Sequence, residues 1–221
     1  MNETISHGLG LLALTIGTLL PIMNPFSTCP LLIALTPGWN FSARQRLALR
    51  VCVYAFGILA AFLIAGERII NLFSISIEGI RIAGGLIIIR VGFSMLSSTD
   101  SGAVESDTVT QARGNRDIAF TPLAMPSLAG PGSISVVLSM VSSAHENTKL
   151  VNIAVIALGI ALTALIAYLL FLAAAKYVHL LSQTALDAFT RIMGFLLVCI
   201  AVQFVLSGIT EFIRNTNFGA G

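Results

Sequence analysis

The chain has 221 residues, of which 56% are hydrophobic and only 10% charged, and its mean hydropathy is +0.93. Soluble domains carry about 25% charged residues, so the composition excludes a soluble globular fold and indicates a polytopic membrane protein. A net charge of +2 offers no basic surface for a nucleic-acid partner.

The opening "MNETISHG" lacks a basic n-region, so the first apolar segment reads as retained rather than as a cleaved signal. A spanning helix needs roughly 20 apolar residues. Six stretches meet that length, at about 9–35, 46–66, 78–97, 119–143, 150–178 and 189–213. The first is long because it is interrupted. Its "PIMNPFSTCP", residues 21–30, sets three prolines among Asn24, Ser27 and Thr28. A proline inside a helix removes a backbone bond at a cost of about 3 kcal/mol, and lipid offers no water to repair the loss. Asn caps helix starts and proline is favoured at the first helical position, so "NPFST" reads as the start of a second half-helix. Beyond the second span, "RIINLFSIS" (68–76) is too short to cross and reads as a separate interfacial segment. The polar "STDSGAVESDTVTQARGNRD" (98–117) reads as a loop between two near-equal halves. The fourth span then repeats the interruption in "TPLAMPSLAGPGSIS", where "GPGSIS" is another helix start. The half-helices before the two starts are expected to end near Leu20 and Met125.

All seven prolines fall in these two clusters. Asn24-Pro25 aligns with Gly130-Pro131 and Ser27 with Ser133, at an offset of 106, while "RIAGGLIII" at 81 matches "RIMGFLLVC" at 191, at an offset of 110. The predicted fold is therefore an all-α polytopic membrane protein. Six transmembrane helices form two inverted three-helix repeats, residues 1–97 and 118–221 about the loop 98–117, with the first helix of each repeat broken at mid-membrane. Three spans per half force the second half to enter from the opposite side, and paired interruptions in such halves point to a transport site. Arg44, Arg46 and Arg50, Arg113 and Arg116, and Lys176 and Arg191 fall on one side, which the bias of basic loops makes cytoplasmic. Both termini then lie outside.

A helix start presents unpaired N–H groups and about half a positive charge, which suits a carboxylate. A helix end leaves carbonyls that suit an ammonium or a cation. Two breaks facing each other would make a neutral site for a small zwitterionic solute. The binding residues expected from this reasoning are Asn24, Pro25, Ser27, Thr28, Ser127, Gly130, Pro131, Gly132 and Ser133. "AGPGS" (129–133) has almost no side chain, so a ligand can touch backbone. Ser135 and Thr28 also suit helix packing. Arg81 and Arg191 read as interfacial anchors, and Arg90 and Glu211 as snorkelling side chains. Cys29, Cys52 and Cys199 show no metal-ligand spacing and no disulfide framework; neither a metal nor a cofactor is expected.

"NPFST", "FSISIEGIRIAGGLII", "PLAMPSLAGPGSIS" and "RIMGFLLVC" together make the chain resemble the MarC family of bacterial inner-membrane proteins, over nearly its whole length. The resemblance implies an inner-membrane location, in which the loop-charge bias above places both termini in the periplasm. Some relatives of that family transport small neutral amino acids such as glycine and alanine, so the resemblance also implies that activity. The leading expectation is a secondary transporter in the lipid bilayer, with Na+ or H+ as a candidate coupling ion. The alternative is a membrane scaffold or regulatory protein without transport, which would tolerate substitution at the paired breaks. An enzyme is not expected: His7, His145 and His179 fall near span ends, and no catalytic constellation converges on the apolar part. No nucleotide-binding motif is present to drive primary transport. Reporter fusions within 100–115 and after Gly221 are expected to report opposite sides of the membrane, the second periplasmic; a cytoplasmic C-terminus would overturn the inverted repeat.

Overall fold

The computed structural model describes residues 2–97, 117–142, 149–177 and 183–217, and the regular elements among them are helices. They are α1 (Asn2–Met23), α2 (Pro25–Leu35), α3 (Phe41–Phe73), α4 (Ile77–Ser97), α5 (Ala119–Leu128), α6 (Pro131–Ser142), α7 (Lys149–Lys176) and α8 (Gln183–Asn217). All but Asp117 of the expected loop 98–117 lies outside the described residues, as do His145 and His179. Four stretches are long and apolar enough to cross a bilayer: Phe41–Gly66, Ile77–Leu96, Leu150–Lys176 and Arg191–Asn215. They answer to the second, third, fifth and sixth expected spans. The first and fourth are each divided in two, α1 from α2 and α5 from α6.

Both divisions fall at a proline. Pro25 and Pro131 are the first residues of their helices, where the missing N–H costs nothing and the ring pre-sets the helical φ. The helices before them run further than Leu20 and Met125, to Met23 and Leu128. Asn24 has φ 42°, and its N–H still bonds the Leu20 carbonyl at 3.1 Å. It is the left-handed stop of α1, a place that Asn tolerates best after Gly; its backbone is not the extended one usual for a cap of α2. In α5, Thr121 and Met125 are extended, at φ −124°, ψ 123° and φ −126°, ψ 123°. Each precedes a proline, which disfavours the helical region for the residue before it. The segment closes wide, the Ala129 N–H bonding the Ala124 carbonyl five residues back at 2.8 Å.

The segment 68–76 is not a separate interfacial piece. Nothing between 67 and 73 breaks a helix, so α3 continues through it to Phe73, where Ser74 (φ 51°, ψ 37°) ends it. At the other end Asn40 accepts the Ala43 N–H at 2.9 Å, a side-chain cap. The end of α2 is closed by α3: Arg44 donates to the Thr36 carbonyl at 3.0 Å and to its hydroxyl at 3.1 Å.

Packing is reciprocal between the two halves. α1 and α2 lie on α7, while α5 and α6 lie on α3; α3 also packs on α7, and α4 on α8. Direction follows from close contacts. Gly8 faces Val155 and Gly159 faces Thr15, so α1 runs parallel to α7. Tyr54 meets Phe120 edge-on and Gly66 meets Leu138, so α3 runs parallel to α5 and α6. Met23, Leu59, Leu128, Val137, Ile160, Phe171 and Leu197 belong to one continuous buried core.

The α4–α8 seam is the closest approach. Small residues recur every seven positions, Gly85 and Gly92 on α4, Gly194, Ala201 and Gly208 on α8. A Cβ on Gly92 would lie 2.9 Å from the Gly194 carbonyl oxygen, one on Gly85 would lie 2.8 Å from that of Ala201, and one on Gly208 would lie 3.0 Å from that of Glu78. Higher numbers on one helix meet lower numbers on the other, so the pair is antiparallel. At one end Arg81 and Glu211 form an ion pair, Arg81 donates to Ser139 on α6 at 2.7 Å, and Asn215 donates to Glu78 at 2.7 Å. Arg81 and Glu211 thus hold each other and three helices, where the sequence suggested independent anchoring. Gly92→Leu is expected to lower the melting temperature in detergent by about 4–10 °C, the effect of one to three kcal/mol of overpacking in a chain of this size. Gly57→Leu, whose Cβ would meet nothing within 4 Å, is expected to leave it unchanged.

The cavity between the two helix breaks

A cavity of about 270 Å³ lies where α1, α4, α6 and α8 meet. One wall is polar and comes from the breaks: Asn24, Ser127, and Gly130 through Ser133. The other is apolar: Ile22, Ile87, Ile88, Val91 and Leu197. Ile88 is eleven residues into α4, about 16 Å along its axis, which is half of a hydrocarbon core of about 30 Å.

Six of the nine residues expected at a site line this cavity. Pro25 and Thr28 are buried beside it without lining it, and the Ser27 side chain lies outside the described residues. Thr28 has a local task, its hydroxyl donating to the Asn24 carbonyl at 3.2 Å. Asn24 is 5% exposed, and its amide Nδ2 donates to the Met95 sulfur on α4 at 3.0 Å. Ser135 packs on α4: a Cβ on Gly84 would sit 2.4 Å from that of Ser135.

Four carbonyls near the breaks are paired within the chain. Leu20 accepts from the Asn24 N–H, Ala124 from the Ala129 N–H and Gly130 from the Ile134 N–H. The Ser133 hydroxyl donates to the Leu128 carbonyl at 2.8 Å. The sequence reasoning expected such carbonyls to wait for a ligand; here side chains and neighbouring amides occupy them. The helix start differs. Pro131 has no N–H, and the N–H groups of Gly132 and Ser133 belong to the first turn of α6, where no intrahelical acceptor exists. They carry the positive end of the helix dipole into the cavity wall. No acidic or basic side chain is among the described lining residues. The cavity therefore suits a small solute of zero net charge that carries an acceptor at one end.

The apolar wall was not anticipated. Its residues are apolar positions of α1, α4 and α8, and for those on α4 and α8 only the packing places them across from the breaks.

Interrupted helices around an uncharged cavity, carried among four full-length apolar helices, define a multi-pass integral membrane protein. The family model described as MarC family integral membrane protein matches residues 9–213. The inner membrane protein MarC of Escherichia coli K12 is 36% identical over 216 residues, covering 94% of this chain and 96% of that one, and the Shigella flexneri protein of the same name matches equally. The chain belongs to the MarC family, and it is a multi-pass protein of the inner membrane. No solved structure matches it.

Ser133→Ala is expected to destabilise the fold by about 1–3 kcal/mol, since it leaves the Leu128 carbonyl buried without its donor. Thermal unfolding in detergent measures this, and Ser94→Ala, an exposed hydroxyl, is expected to change little.

Proposed function

We propose that the chain is a secondary transporter of a small neutral amino acid, with the substrate's carboxylate at the N–H groups of Gly132 and Ser133. Its ammonium sits toward Asn24, Ser127 and the neighbouring carbonyls, each of which keeps a second lone pair. The observation that carries the reading is that both interrupted helices contribute to one uncharged cavity at mid-depth. At 270 Å³ it falls below the range of about 300–1,000 Å³ usual for larger ligands.

Reciprocal packing supports the symmetry that such a mechanism uses. In two inverted repeats of three spans, α1–α2 corresponds to α5–α6, α3 to α7 and α4 to α8. Corresponding helices should then run antiparallel while α1 follows α7 and α5–α6 follow α3; the antiparallel α4–α8 seam and the two parallel pairs described above agree with this reading. Alternating access would rock the divided helices against the α4–α8 pair about the site. The proposal places both termini in the periplasm, assigns the chain no enzymatic step, and leaves Na+ or H+ as the coupling ion to be read from the gradient that drives uptake.

The test is uptake of radiolabelled glycine and alanine into proteoliposomes, with and without each ion gradient. Asn24→Leu, by loss of one buried polar partner in the bound state, and Gly130→Leu, by placing a branched side chain in the cavity wall, are each expected to cut uptake about tenfold or more, with membrane insertion retained. Ser135→Ala keeps the Cβ that packs on Gly84 and is expected to stay near the parent rate. Equal uptake by the parent and both break variants would reduce the breaks to structural kinks and overturn the mechanism.

A further inference from the structure

We propose that Ile88 sets the upper size limit of the solute's side chain. This rests on the transport reading above and assigns its selectivity to a residue outside the helix breaks. Ile88 sits in the middle of α4 and is 2% exposed. It lies directly against the first turn of α6: a Cβ built on Gly132 would meet the Ile88 Cγ1 at 2.9 Å and the Ile22 Cγ2 at 3.4 Å.

Those positions decide what can bind. A carboxylate held by the Gly132 and Ser133 N–H groups brings its own α-carbon up to that turn. Substituents on the α-carbon must then point away from the polar wall, toward Ile88. A β-branched side chain in a helix has one strongly preferred rotamer, so Ile88 cannot swing aside as a leucine or methionine could. Hydrogen on the α-carbon fits beneath it and a methyl group comes into contact. A branched side chain would have to displace it. Gly132 is the matching half of the device, because any side chain there would fill the same gap from the opposite wall.

The experiment compares glycine, alanine, valine and leucine uptake by the full chain in proteoliposomes, and the thermal shift each produces in detergent. In Ile88→Ala the leucine-to-glycine uptake ratio is expected to rise tenfold or more, within the 10–200-fold that hydrophobic pockets achieve per methylene. Gly132→Ala is expected to lose alanine uptake, and Gly132→Ala combined with Ile88→Ala to regain it, because the 2.9 Å contact is then gone. Ile160→Ala trims an equally buried isoleucine on α7 that does not line the cavity, and its ratio is expected to match the parent's. If Ile88→Ala fails to insert, Ile88→Val carries the test through a smaller rise in the valine-to-glycine ratio. An Ile88 variant that moves glycine with an unchanged ratio overturns the inference alone. A parent chain that moves neither glycine nor alanine and shows no thermal shift with them overturns the transport reading and this inference together.

Discussion

Peptide groups cannot be left unpaired in an apolar surrounding, and this chain has two helix ends and two helix starts inside its apolar bundle. Each unsatisfied group would cost several kcal/mol. The architecture answers in two ways. Locally, the Asn24 and Ala129 N–H groups and the Thr28 and Ser133 hydroxyls take up carbonyls near the breaks. Globally, α3 and α7 cover the divided helices on one side, and α4 and α8 approach them from the other. Irregular backbone at membrane depth is tolerated only where protein or a cavity surrounds it, so the breaks must sit inside the bundle. Their position in turn fixes which helices become the walls of the cavity.

The same constraint explains why the donors and acceptors at the breaks are treated unequally. A hydroxyl three to five residues away can fold back onto a carbonyl at little entropic cost, as Thr28 and Ser133 do. At the start of α6 the first-turn N–H groups of Gly132 and Ser133 have no such helper, because the residue before Pro131 is Gly130, which has no side chain to cap them. What remains available to a ligand is therefore biased toward N–H groups. The bias suits an acceptor-bearing solute, and the absence of charge among the described lining residues suits one whose total charge is near zero.

Much of this was legible in the residues. Asn24-Pro25 and Gly130-Pro131 marked the starts of α2 and α6 to the residue, although the helices before them run past the expected ends, and six of the cavity's lining positions were among the residues expected at a site. What could not be read lies in three-dimensional packing or in backbone alternatives of similar energy. Asn24 suits both a helix cap and a left-handed stop, and composition does not choose between them. The helix α3 runs past "RIINLF" because no breaker intervenes before Ser74. Arg81 and Glu211 are 130 residues apart, and nothing local announces their pairing. Ile87, Ile88 and Val91 look like any other apolar residues until α6 is set opposite them.

The seam between α4 and α8 has a mechanical consequence. Small residues spaced by seven mean that the next equivalent fit lies about 10 Å further along the axis. A slide of a single turn would drive Val198 onto the place where Gly194 now admits Gly92. Intermediate positions are sterically closed, so the seam has no shallow slope to creep along. The two helices form one beam, stiff against shear, and the cavity wall built on Ile88 and Leu197 travels with it as a unit. Any motion that opens the cavity must occur where the beam meets the divided helices, and the hinges of this protein are to be sought there.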